Sequence, residues 1–106
     1  MTPEEQTQFR LLRALERHPE YSQRELAEAV GISLGRTNYV IHALIEKGLV
    51  KIGRFLVSDK KLTKTAYFLT PAGLGLRLEL TQAYIERKKL EYEALKSELE
   101  ALELEK

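Results

Sequence analysis

SQRELAEAVGISLGRTNYVIHALIEKGLV, residues 22–50, holds two short helical patterns parted at Gly31, Ile32 and Ser33. Ser22 offers a hydroxyl to the amides left free at a helix start, and Glu25, three residues on, can return the bond as a capping box. Leu26, Ala27 and Val30 then give the first helix an apolar side. Gly31 admits a tight or left-handed backbone, and Ser33 is placed to cap a second helix beginning near Leu34. This second helix is expected over residues 34–47, ending at Gly48, a residue suited to a left-handed cap. It carries Arg36, Asn38 and His42 among the packing positions Val40, Ile41, Leu44 and Ile45. Two short helices joined by so tight a turn are the sequence form of a helix-turn-helix.

Working outward, residues 3–16 read as an earlier helix with Pro3 in its opening turn and Phe9, Leu12 and Leu15 facing inward. His18 and Pro19 end it, because proline lacks an amide donor and restricts the residue before it. After Gly48, LVKIGRFLV (49–57) and TKTAYFLT (63–70) have the β-branched and aromatic content of two short strands, with SDKKL (58–62) as an exposed connection. A hairpin beside a helix-turn-helix makes a wing. The class expected is therefore α+β, mainly helical, with a winged helix-turn-helix head over residues 1–70.

The formal net charge of +1 hides an asymmetry. Residues 1–30 carry a net −2, residues 31–65 a net +5 and residues 66–106 a net −2. The positive excess coincides with the second helix of the motif and the wing, where phosphate contacts would be needed. Lys51, Arg54, Lys60, Lys61 and Lys64 are the wing cations placed to follow a phosphate backbone or enter a minor groove. The plainer reading of Lys60 and Lys61 is solubilising loop charge.

The last third has another geometry. Pro71 fits the first turn of a helix after Thr70, and Leu78, Ile85, Tyr92 and Leu99 recur every seven residues. Leu74, Thr81, Lys88, Leu95 and Leu102 fill the companion positions, so both series run along one face, interrupted by polar groups at Thr81 and Lys88. A helix of more than about 30 residues cannot bury that seam against so small a head, so residues 71–106 are expected to dimerise with a second copy in coiled-coil fashion. Leu74, Leu78, Ile85, Tyr92, Leu95, Leu99 and Leu102 are the dimerisation candidates. Both pairing directions stay open: parallel pairing sets Lys88 against its equivalent, and antiparallel pairing offsets it. Glu86, Lys89, Glu91, Glu93, Lys96 and Glu98 form a solvated mixed-charge surface around the seam.

With 106 residues the chain has room for one small domain and a projecting element. It has no cysteine, so thiolate metal sites and disulfides are excluded. There is no apolar run of membrane-spanning length and no secretory leader pattern, which makes a soluble cytoplasmic protein the expectation. Catalysis has little support: His18 and His42 lie apart, the only aspartate is Asp59, and no metal cluster, phosphate-binding glycine loop or nucleophile triad can be read. No cofactor is expected.

Taken together, SQRELAEAVGISLGRTNYVIHALIEKGLVK, then AYFLTPAG, then LTQAYIERKKLEYEAL resemble the winged-helix MarR-type transcriptional regulators, and more narrowly their small exopolysaccharide-associated members. The resemblance covers most of the chain. It implies sequence-specific binding of double-stranded DNA by a homodimer, and control of exopolysaccharide genes follows from it alone. It makes residues 34–47 the recognition helix, with Arg36 placed to donate two bonds to guanine and Asn38 to pair with adenine or hold a phosphate. Tyr39 would pack on sugar or a thymine methyl, and His42 is a further candidate contact. A homodimer presenting two such helices implies a twofold-related operator. The short N-terminal arm departs from larger MarR proteins and leaves little material for a preformed cavity, so a small-molecule effector is not carried over. The rival reading is a winged-helix protein-interaction adaptor without sequence preference.

Overall fold

Hydrogen bonds at the helix ends decide where this chain turns. A computed structural model describes residues 1–57 and 63–105. Its order is α1 (Pro3–Arg17), α2 (Gln23–Val30), α3 (Leu34–Glu46), β1 (Val50–Leu56), β2 (Thr63–Leu69) and α4 (Pro71–Leu104). The expected Ser22 and Glu25 capping box is formed. A second box, of Thr2 with Glu5, opens α1. In both boxes the backbone amide of the cap residue donates to the glutamate, which holds each carboxyl below its ordinary pKa. Gly31 is left-handed at φ 80° and Gly48 at φ 71°, so the two turns expected on either side of α3 are made by the residues best suited to them.

Four α1 side chains, Phe9, Leu11, Leu12 and Leu15, are buried, one more than the spacing suggested. The reason is position: α1 is gripped by α2 on one side and by α4 and β2 on the other, so its apolar face must be wide. Leu26 and Val30 of α2, Val40, Ile41 and Leu44 of α3, Val50 and Tyr67 of the sheet, and Leu80 of α4 complete the core. Each fully buried leucine contributes on the order of 1.5–3 kcal/mol relative to exposure.

The hairpin pairs antiparallel from Val50 opposite Leu69 to Leu56 opposite Thr63. It is shorter than expected at three of its four ends, with Leu49, Val57 and Thr70 outside the ladder. Thr70 has other work. Its hydroxyl accepts from the Gly73 amide as the N-cap of α4 and donates to the Gly48 carbonyl at 2.6 Å, while its amide donates to the Leu49 carbonyl at 3.1 Å. Gly73 then lies so close to Leu49 that a Cβ at this position would collide with the Leu49 carbonyl.

From that seat, Gly73, Leu76, Leu80 and Tyr84 turn toward the head. The Tyr84 ring stacks on Phe9 with centroids 5.1 Å apart, and Arg77 Nε meets Glu16 Oε2 at 2.7 Å. Past Tyr84 the helix leaves the head and every residue is exposed, giving the molecule its extents of 68 × 26 × 25 Å. Among the described residues no helix is long and apolar enough to cross a membrane.

Candidate nucleic-acid interface

Successive residues of a helix are turned by about 100°, so the buried set of α3 fixes its outward face. Thr37, Val40, Ile41 and Leu44 point into the head. Thr37 is a polar member of that set, and its hydroxyl donates to the Ser33 carbonyl at 2.9 Å, which satisfies it locally. The opposite face carries Gly35, Tyr39 and His42, with Arg36 and Asn38 as its two flanks. Tyr39 is 74% exposed, the most exposed aromatic side chain of the head. The sequence marks Arg36, Asn38 and His42 as the principal polar candidates, with Tyr39 as a packing contact. The structure sets Tyr39 and His42 at the middle and the other two at the edges.

The flanks differ in their surroundings. Arg36 leans toward the start of α1 and shares a shallow depression with Glu4, Gln8 and Lys47. Asn38 faces α2, where its Nδ2 donates to Gln23 Oε1 at 3.0 Å, and Gln23 Nε2 in turn donates to the Tyr67 hydroxyl at 3.0 Å. One polar chain therefore joins α3, the start of α2 and β2. That chain uses one amide hydrogen of the exposed Asn38 and not its carbonyl oxygen or second amide hydrogen, the acceptor and donor pair that adenine recognition uses. Gln23 escaped the sequence reading because its partners stand 15 and 44 residues away. The only local sign is an amide side chain just inside a helix cap.

The wing cations do not share one side. Lys51 and Lys64 lie on one face of the ladder, by register with Phe68 and Phe55 opposite them, and Arg54 lies on the other with Ile52 and Leu56. Lys64 reaches back to Glu25 at 3.7 Å, which sets it beside the start of α2, and Arg54 donates to the Thr63 hydroxyl at 3.4 Å. Both contacts are solvent-exposed and weak enough to yield to a phosphate. Lys60 and Lys61 lie outside the described residues. Along α4, the seam candidates Leu74, Leu78, Ile85, Tyr92, Leu95, Leu99 and Leu102 are all between 43% and 64% exposed. Among the described residues no cluster of three or more His, Cys, Asp or Glu is placed to hold a metal.

Comparison with known proteins agrees with this geometry. Residues 4–51 match the family model described as winged helix-turn-helix DNA-binding. A MarR family transcription regulator superposes with a TM-score of 0.66 at 17% identity, over 83% of this chain and 56% of its own. The adhesin competence repressor AdcR from Streptococcus pyogenes gives 0.68 at 18% identity, over 92% and 67%. A mutant MepR from S. aureus bound to an oligodeoxyribonucleotide gives 0.59 at 20% identity, over 91% and 75%. The chain spans a little over half the length of the first of these. No curated protein matches it. The fold is thus a winged helix-turn-helix with a long C-terminal helix, an arrangement similar to that of these solved structures.

Proposed function

We propose that this chain is a sequence-specific double-stranded DNA-binding transcriptional regulator that works in the cytoplasm as a homodimer. The observation that carries the reading is the outward face of α3, where Tyr39 and His42 stand exposed between Arg36 and Asn38 with no packing role to explain them. A helix presenting those groups from a winged scaffold fits a major groove. Arg36 then reads guanine, Asn38 reads adenine, Tyr39 packs on a thymine methyl or sugar, and His42 contacts a neighbouring base edge. Lys51, Arg54 and Lys64, with Lys60 and Lys61 of the connecting segment, supply phosphate contacts.

In this reading residues 1–70 bind DNA and residues 71–106 pair two copies, so the operator is twofold-related. The exposed α4 seam supports the pairing. Control of exopolysaccharide genes rests on the resemblance of the motif, the AYFLTPAG passage and the tail to that group of regulators. A small-molecule effector is not needed for DNA recognition by this scheme. Footprinting of genomic fragments tests the proposal: paired major-groove protection on one face of the duplex is expected. Absence of any specific footprint would favour a protein-interaction adaptor instead.

A further inference from the structure

The apolar seam of α4 is open from Leu74 to Leu102, and the charge along the helix is far from even. Residues 71–89 carry four basic and two acidic side chains, a net +2, whereas residues 90–105 carry one basic and six acidic, a net −5. A parallel pair lays −5 beside −5 along the exposed ends. It also sets Lys88 against Lys88 and Thr81 against Thr81 in the seam. An antiparallel pair lays the basic half of each helix against the acidic half of the other, which removes the repulsion and adds attraction.

We infer that two copies join through α4 in antiparallel orientation, crossing near residue 90, an arrangement that rests on the homodimer reading above. In that register Leu78 meets Leu102 of the second copy, Thr81 meets Leu99, Ile85 meets Leu95 and Lys88 meets Tyr92. No polar position faces its own kind. Lys88 suits such a place: its ammonium already lies 3.2 Å from Glu91 Oε2 and 5.5 Å from the Tyr84 ring centre. The charge is therefore held at the helix edge, and the methylene stem is free to cover the Tyr92 ring. Thr81 is likewise quiet, because its hydroxyl donates to the Arg77 carbonyl at 2.8 Å and accepts from the Arg77 guanidinium.

The crossing point also fixes how far apart the heads stand. At 1.5 Å per residue, Arg77, which ties α4 to α1, lies about 20 Å from residue 90, so the two attachments are about 40 Å apart. That is on the order of one turn of DNA, about 34 Å.

A chain without cysteine makes the test clean. Ile85→Cys and Leu95→Cys are prepared singly, mixed, allowed to exchange subunits and oxidised gently, with sedimentation equilibrium on the reduced proteins. Leu78→Cys with Leu102→Cys serves as a second pair should either first variant fail to fold. The expected result is a disulfide-linked dimer from each mixture and little from any variant alone, since like positions 85 would stand about 15 Å apart. Efficient cross-linking of Leu95→Cys by itself would establish parallel pairing and overturn the inference. Dimeric mass with no cross-link in any combination would overturn the orientation and register while leaving the homodimer standing. A monomeric mass would remove the homodimer and the inference together.

Discussion

Asn38 Nδ2 lies 3.0 Å from Gln23 Oε1, and this contact, extended by Gln23 to the Tyr67 hydroxyl, holds a side chain of α3, the proposed recognition helix, from outside that helix. Gln23→Ala is therefore expected to weaken operator binding by about 1 kcal/mol without touching a base. Asn38→Ala and the double variant complete a thermodynamic cycle. The two losses should be clearly less than additive; full additivity in the titrations would mean that Gln23 does not position Asn38.

Arg36→Ala is expected to lose roughly 1–3 kcal/mol of discrimination at one operator position, because the proposed bidentate contact to guanine is removed. Arg54→Ala should behave differently. As a wing contact to phosphate it should lower affinity for operator and random duplex alike and reduce the salt-dependence slope by about one. Titrations across salt, with single-base operator variants, separate the two behaviours. Discrimination left intact by Arg36→Ala would reject its reading role.

Replacing Leu95 and Leu99 together by glutamate should convert a dimer to a monomer and reduce operator affinity by at least tenfold, since two heads would no longer bind as one unit. Both side chains are more than half exposed in the single chain, so the fold of the head should be untouched. Sedimentation and the circular dichroism melt of the same samples check the two halves of that statement. A variant that stays dimeric would place the interface elsewhere.

Glycines two residues apart in α4 should respond in opposite directions. Gly73→Ala forces a side chain into the Leu49 carbonyl and should destabilise the head by on the order of 1–3 kcal/mol. Gly75→Ala meets open space in a helix interior and should stabilise by about 0.5–1 kcal/mol. Urea midpoints decide it, and a neutral Gly73→Ala would mean that α4 can shift on its seat.

Ser22→Ala should cost about 1 kcal/mol through loss of the α2 cap. The reciprocal carboxylate of Glu25 has a lowered pKa, chiefly through the hydrogen bond from the Ser22 amide. Its contribution is complete above the ordinary glutamate value and is lost as pH falls through the depressed one. The difference in urea midpoint between wild type and Glu25→Ala should therefore narrow along that acid limb, because the alanine variant has no carboxylate to lose.

What the sequence disclosed were the features with local causes. Ser22, Glu25, Gly31, Ser33, Gly48 and Pro71 each specify a turn or cap within four residues, and the helices and strands fall where those signals put them. The wide inward face of α1, the Gly73 seat and the Gln23 bridge were not legible. Each depends on which distant element comes to rest beside it: Leu11 becomes fully buried only once α1 is gripped on two sides. The same holds for Leu76, Leu80 and Tyr84, whose row on α4 was overshadowed by the stronger seven-residue repeat beside it. Tyr39 reads in the sequence as a packing contact, but its place at the centre of the outward face becomes clear only once the buried set of α3 is known.

Leu49 is a single residue held from two sides: its amide donates to the Leu44 carbonyl at the end of α3, and its carbonyl accepts from Thr70 beneath the Gly73 seat. It thereby couples the end of α3 to the start of α4. The path from the start of α4 to the end of α3 therefore runs through one residue and two backbone hydrogen bonds. If two tails pair as proposed, the angle at which they cross bears on the angle at which the two α3 helices are presented to DNA.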